Sequence, residues 1–292
     1  MRKAFLLAFA AVLVSSCKTE SVKQEPTVPR RIVSVTITGD VLLQSLVDSS
    51  RVLAVCSMAD DSGIHEAAGL FPGKPRIPAD VEKVLSLRPD LVLLGSFNDP
   101  DFIAAIRSSG VPIEILESPR SLERVRAFLA QVSRRLGEPA KGDSLIAWMD
   151  SILIDVKTRA ARCSERPRVA YWSEGYTAGD SSTIHDLLLA AGARNAVAES
   201  GLHGSVPLAI EDMVRLDPDW ILRTSWESGG RMKELPAAFA NLRAVKEGRV
   251  AIVPGRILLS TSHRAALGAK ALFEALHPEG CGDANPVRSS AD

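Results

Sequence analysis

Five histidines, one serine beside them and a pair of matched glutamates are the residues of this chain whose types invite chemistry. The histidines are His65, His185, His203, His263 and His277. Imidazoles that converge with carboxylates at a shared depth would hold a metal ion. His65 falls in an irregular loop, His203 in the approach to a recurring phrase, and His263 in the closing segment, so these three converge only if loops fold inward. His203 and His263 are the metal-ligand alternatives, whereas His185 inside a helical stretch and His277 at a helix end read as structural or solvated. Ser182 with His185 or His203 would supply the nucleophile and base of a hydrolase. No G-x-S-x-G elbow occurs, however, and no acid–base pair has convincing spacing. The expectation is a protein that is not an enzyme and has no intrinsic cofactor.

The recurring phrase shows how such residues are positioned. VEKVLSLRPDLVL runs over residues 81–93, and IEDMVRLDPDWIL over 210–222, a constant 129 residues later. Glu82 matches Glu211, Leu87 matches Leu216, and Pro89-Asp90 matches Pro218-Asp219. A repeated helix, turn and buried strand predicts two similar lobes with a ligand between them.

Around each copy, strands alternate with helices. In the first lobe 31–35, 52–56, 91–94 and 111–115 read as strands, with helices near 42–46, 81–87 and 100–108. Residues 58–80, rich in Gly and Pro, read as mostly irregular chain. Residues 121–162 hold two amphipathic helical stretches and no convincing strand, which fits a long helical connector rather than a hinge of crossing strands. The second lobe has strands at 169–172 and 249–253, a helix at 182–190, and a closing helix at 262–276 before a tail that looks frayed after Pro278. This pattern predicts an α/β fold: two Rossmann-like lobes with central, mostly parallel sheets joined by a long helical connector. Trp172, Glu174, Arg223 and Trp226 lie in or just beyond strand ends, where ligands gather in such sheets.

The N-terminus predicts export. Arg2 and Lys3 precede an apolar run, Ala4 to Val14, that is too short to span a bilayer as a mature helix. Val14-Ser15-Ser16-Cys17 resembles a bacterial lipobox, which implies a signal peptide of residues 1–16 and lipid on Cys17. Residues 17–30 then read as a tether, 31–118 as the N-terminal lobe, 119–165 as the connector and 166–292 as the C-terminal lobe with its tail. The 35 basic and 35 acidic residues balance, so nothing suggests a nucleic-acid surface. After Cys17 three cysteines remain: Cys56, Cys163 and Cys281. An odd number leaves at least one unpaired in a monomer, and Cys56 in an apolar strand reads as a buried thiol.

With these motifs on view, the chain resembles the periplasmic substrate-binding proteins of ABC importers that have a rigid helical backbone. The resemblance rests on Arg31-Ile32-Val33-Ser34, both E-x-x-x-x-L-x-P-D phrases and the connector. It also rests on Gly179-Asp180-Ser181-Ser182 with Ala190-Ala191-Gly192-Ala193-Asn195, and on Val253-Pro254-Gly255-Arg256 with Ser262-His263-Arg264. It implies a monomeric receptor, lipid-anchored in the periplasm or at the cell surface, that captures cobalamin, a ferric siderophore or haem. Glu82 and Glu211 would dock a twofold permease dimer, each favoured in the first turn of its helix and able to pair with arginine. Register with the vitamin B12-binding member places ligand contacts at or near Met58, Arg76, Tyr176, Ser205, Arg256 and Ser260. Met58, Arg76 and Ser205 replace aromatic surfaces, which argues against a corrin, and arginines in the cleft, Arg76 and Arg256, would suit the oxygens of an iron chelate or haem propionates. Haem on His203 or His263, and a metal-ion receptor, are alternatives within the same fold. An extracellular hydrolase and a sensory or adhesion lipoprotein are alternatives outside it.

Overall fold

A computed structural model of the chain describes residues 28–64, 68–225 and 234–281. The lipobox with Cys17, His65 and Trp226 lie outside the described residues. The first lobe runs β1 (Ile32–Ser34), α1 (Ile37–Leu46), β2 (Val52–Cys56), β3 (Arg76–Ile77), α2 (Val81–Ser86), β4 (Leu91–Gly95), α3 (Pro100–Ser108) and β5 (Ile113–Leu116). Its sheet has the order β3-β2-β1-β4-β5, and every neighbouring pair is parallel. All five residues of β4 are buried, as a parallel strand covered on both faces requires. Hydroxyl and carboxylate caps start the helices: Thr36 Oγ1 accepts from Gly39 N at 2.9 Å, and Asp80 Oδ1 from Lys83 N at 2.9 Å. Strand β3 is an addition to the stretch expected to be mostly irregular.

Two helices leave this lobe, α4 (Leu122–Arg135) and α5 (Pro139–Ala160). Leu129, Val132 and Leu136 are buried in the first lobe's core, while Leu122, Val125, Met149, Leu153 and Val156 are buried in the second's. Polar contacts repeat this division. Arg51 pairs with Glu138 at 2.9 Å on one side, and Leu122 N donates to Asp186 at 2.7 Å on the other. The helices touch closely where Gly142 faces Ser133, and a Cβ at 142 would collide with that serine's side chain. Because the connector contributes to both cores, swinging one lobe against the other would expose apolar surface, at about 25 cal/mol per Å².

The second lobe runs β6 (Arg168–Tyr171), β7 (Tyr176–Ala178), α6 (Thr183–Ala190), β8 (Arg194–Asn195), α7 (Ala196–Glu199), β9 (Ser205–Pro207), α8 (Ile210–Leu216), β10 (Trp220–Ser225), α9 (Arg243–Lys246), β11 (Val250–Pro254), α10 (Gly255–Leu258) and α11 (Ala265–Leu276). Its sheet is parallel in the order β11-β10-β6-β8, and β7 pairs with β9 as a separate antiparallel ribbon. That ribbon is absent from the sequence reading. The closing helix begins at Ala265 rather than Ser262, because Ser262 turns its hydroxyl to Ser260 Oγ at 3.0 Å.

The cysteines pair as their odd number allows. Cys163 and Cys281 form a disulfide, and Cys56 is free and buried. The bond corrects the expected fraying after Pro278, since it fixes the chain to the end of the connector as far as Cys281. Burial and the nearby Asp40 carboxylate push the Cys56 thiol well above its ordinary range, so it stays protonated and packs as an apolar group.

Candidate ligand-binding cleft

The lobes meet across a cleft where the Thr38 and Thr261 hydroxyls hydrogen-bond at 2.5 Å. Beside it lies a cavity of about 370 Å³, lined from the first lobe by Val41, Met58, Phe97 and Asn98 and from the second by Arg256, Leu259, Ser260 and Ser262. A larger cavity of about 1010 Å³ lies between the Ser118–Arg120 turn and the face of β7 and β9. Tyr176, Ala178, Ser205, His203, Glu174 and Leu259 are among its lining residues. Leu259 belongs to both cavities. Apolar side chains this open to solvent are informative: Met58 is 43 %, Phe97 68 %, Tyr176 55 % and Leu259 36 % exposed. They give the two cavities exposed apolar contacts among polar and hydroxyl-bearing residues, a mixture found in small-molecule sites.

The antiparallel ribbon explains the larger cavity. Tyr176 and Ala178 stand opposite Pro207 and Ser205, so one face of the ribbon looks into the space. Thr177 points the other way, fully buried, with its hydroxyl donating to Tyr171 O at 2.6 Å. Gly179 lets the following turn approach closely, because a Cβ there would overlap the Leu202 carbonyl. The approach sets His203 Nδ1 2.5 Å from Asp180 Oδ1. The hydrogen bond from His203 holds the Asp180 carboxyl below the usual carboxylate range.

The residues named from sequence therefore fall into separate groups. Met58, Arg256 and Ser260 line the smaller cavity, and Tyr176 and Ser205 the larger. Trp172 and Arg223 line a third cavity of about 560 Å³, together with Glu174 and Glu211. Burial lowers the pKa of Arg223, and the Glu174 carboxylate partly opposes that shift. Arg76 lines none of these cavities. All five of its N–H groups are engaged near its own loop, by Asp60 in bidentate fashion and by the carbonyls of Leu70, Phe71 and Lys74. A fourth groove of about 600 Å³ runs along α4, α5 and α6 and lies at the connector, away from the first lobe's sheet.

Phe97, Arg120 and Leu259 escaped the sequence reading. Phe97 could have been found, because it follows the wholly buried β4 by two residues, and ligands gather at the carboxyl ends of parallel strands.

Among the described residues the histidines do not converge. His263 is buried with its ring 5.5 Å from that of Trp148, edge to face, and its pKa falls to about 4 through burial and the neighbouring Arg264. His185 Nδ1 lies 3.4 Å from the Asn195 amide, and His277 Nε2 3.2 Å from Ala191 O. Ser182, the hydrolase candidate, caps α6: its Oγ accepts from His185 N at 3.1 Å and donates to Gly179 O at 2.7 Å.

Glu82 and Glu211 both lie exposed in the first turns of α2 and α8. Among the described residues neither makes an ion pair or side-chain hydrogen bond.

Two parallel α/β lobes on a helical backbone, with cavities at their junction, define a class of binding protein rather than a catalyst. The profile of the periplasmic binding protein family matches residues 75–257, and the chain belongs to that family. It is 27 % identical over 209 residues to a Bacillus subtilis protein described as the uncharacterized ABC transporter substrate-binding lipoprotein YvrC, covering 68 % of this chain and 66 % of that one. It is 26 % identical over 239 residues to a cobalamin-binding protein of Halobacterium salinarum, covering 80 % of this chain and 64 % of the relative. The matches thus span just under two thirds of these curated relatives. Among solved structures, the periplasmic heme-binding protein RhuT from Roseiflexus sp. RS-1, in apo form, aligns with a TM-score of 0.71 at 26 % identity, over 85 % of this chain and 99 % of that one. Among the described residues no helix is long and apolar enough to cross a membrane.

Proposed function

We propose that this protein is the substrate-binding component of an ABC importer, working outside the cytoplasm and held at a membrane by lipid on Cys17. Its cargo is an iron chelate, haem or a corrinoid, carried between the lobes. The observation that carries this reading is the pair of adjoining interlobe cavities faced by Met58, Phe97, Tyr176 and Leu259. Their combined size suits a cofactor-sized guest better than a single ion, and the relatives named for cobalamin and heme are consistent with it. Arg256 and Arg120 stand at these cavities to meet carboxylate or hydroxamate oxygens.

The permease dimer docks on Glu82 and Glu211. Their supports are the matched position in each copy of the phrase, their exposure, and the lack of an ion pair or side-chain hydrogen bond at either carboxylate among the described residues. Native mass spectrometry of the soluble body against cobalamins, haemin, ferric siderophores and divalent metals tests the cargo. A preference for free Zn²⁺ or Mn²⁺ over every chelate would sink the reading. Substituting both glutamates with alanine is expected to abolish permease coupling while leaving cargo affinity unchanged. Loss of cargo affinity with normal docking would show their roles to be misassigned.

A further inference from the structure

One cluster of soft donors lies outside the cleft and has no part in the receptor reading. Among the described residues the only grouping of three potential metal ligands is Cys163, His277 and Cys281, whose donor atoms lie within 4.8 Å of one another. Cys163 sits just beyond the end of α5, and His277 just beyond the end of α11. The chain then turns, with Gly280 N donating to His277 O at 2.9 Å, and brings Cys281 back. The H-x-x-x-C interval of His277 and Cys281 is a short chelating spacing of the kind zinc loops use. None of the three residues lines either interlobe cavity.

With its two sulfurs joined as a disulfide, the cluster offers a cation little. Reduction changes the donor set. A dithiol that opens the bond becomes a disulfide itself, and its two electrons and two protons leave Cys163 and Cys281 as thiols. A thiolate-seeking cation then displaces both protons and binds both sulfurs. The histidine is already arranged for a third place. Its Nε2 lies 3.2 Å from Ala191 O, and a carbonyl only accepts, so Nε2 carries the proton and Nδ1 keeps its lone pair. An imidazole whose second nitrogen donates to a backbone carbonyl is the usual arrangement of a metal ligand. All three residues are half-buried, and His277 lines a cavity of about 420 Å³, so water reaches a fourth position. Two thiolates, one imidazole and one open position suit tetrahedral Zn²⁺, and they disfavour hard cations such as Mg²⁺ and Ca²⁺.

We infer that Cys163, Cys281 and His277 form a redox-gated zinc site, closed by the disulfide when oxidised and open to the metal when reduced. Bound zinc bridges the same two cysteines, so the link across 118 residues persists without its covalent bond. The metal keeps its oxidation state throughout, and His277 keeps its Nε2 proton. The site is separate from the cleft, and neither the cargo nor the permease has a part in it.

The test uses the full chain purified in detergent, reduced, freed of reductant without air, and titrated with Co²⁺ and then Zn²⁺. The first equivalent of Co²⁺ is expected to give sulfur-to-metal charge-transfer and tetrahedral d–d bands, which Zn²⁺ then bleaches. The oxidised chain should show neither band. Cys163→Ser should lose the charge-transfer band. His277→Gln should weaken Zn²⁺ binding by more than about 100-fold, since losing an outer partner alone costs up to that much. Zn²⁺ should also raise the melting temperature of the reduced wild type and slow its reoxidation, with no such effect on Cys163→Ser. Bands that persist in the oxidised chain, or in Cys163→Ser through Cys17 or Cys56, would overturn the site. So would their absence from the reduced wild type, or unchanged affinity in His277→Gln. Circular dichroism of each reduced form separates lost ligation from unfolding, and a reduced wild type that is unfolded and stays so with Zn²⁺ would also overturn it.

Discussion

The two copies of the phrase can be compared residue by residue, and they agree where the backbone needs them to agree. Arg88 and Asp217 both take a left-handed conformation, with φ of 49° and 36°, immediately before a proline that disfavours the right-handed helical region. Asp90 then accepts from the backbone N–H groups of Arg30 and Arg31, each at 2.8 Å, and Asp219 accepts from Arg168 N at 2.8 Å. The Arg31 side chain donates to the carbonyls of Leu87 and Arg88, and that of Arg168 to those of Leu216 and Asp217. Each lobe thus ties the end of a helix to the start of its central strand with the same arginine and the same Pro-Asp pair.

They differ at the helix start. Asp80 caps α2, but its counterpart Ala209 offers no side-chain cap to α8. Asp219 also holds Arg243 at 2.5 Å, a partner from outside the phrase. The difference separates architecture from exposure. The aspartates are occupied by the fold, whereas Glu82 and Glu211 have kept the same outward position although the cap beside one of them is gone.

The comparison can be broken in four ways, in decreasing order of effect. Replacing Cys163 and Cys281 with alanine removes a link across 118 residues and is expected to cost about 3–5 kcal/mol. Urea denaturation with hydrogen exchange should show the larger loss in the second lobe, and equal loss of protection in both would show that the shared connector transmits it fully to the first. Leu93→Ala and Leu222→Ala occupy matched, fully buried positions, so each should cost about 2–5 kcal/mol, with similar denaturation midpoints. A clear inequality would mean that the two sheets are packed differently. Asp90→Ala should cost about 1–3 kcal/mol, more than Asp219→Ala by backbone bonds alone, because it frees two N–H groups rather than one. The reverse order would show that the Arg243 pair dominates in the second lobe. Finally, Asp80→Ala should lower the melting stability by about 1 kcal/mol, and Ala209→Asp should raise it by a similar or smaller amount. Ala209 already has the extended backbone of a cap, and failure of the gain would show that the Ala209 carboxylate substitute cannot reach the helix amides.

What was legible in the sequence follows from how local each signal is. Buried parallel strands such as Leu91–Gly95 and capped helices such as Pro100–Ser108 carry their pattern in consecutive residues, and the repeat doubled it. The connector was readable for the same reason, since LERVRAFLAQVSRR alternates faces at helical spacing. The ribbon of Tyr176–Ala178 with Ser205–Pro207 was not, because each strand has only three residues and gains its partner from across the lobe. The cleft suffered most from this. Register placed Met58, Tyr176, Ser205, Arg256 and Ser260 around the interlobe space, but Arg76 had local carbonyls and Asp60 within reach, and nothing in its neighbours' identities revealed it.

The bond between Cys163 and Cys281 has a topological consequence. Every strand and helix from Arg168 to Leu276 lies between its two ends, so the second lobe is a closed covalent ring, while the first is an open segment. A single peptide bond cut inside that ring leaves both pieces covalently joined, and even when unfolded they part only after a reductant opens the disulfide. A cut in the first lobe leaves two pieces with no covalent bond between them, and they part on unfolding without a reductant.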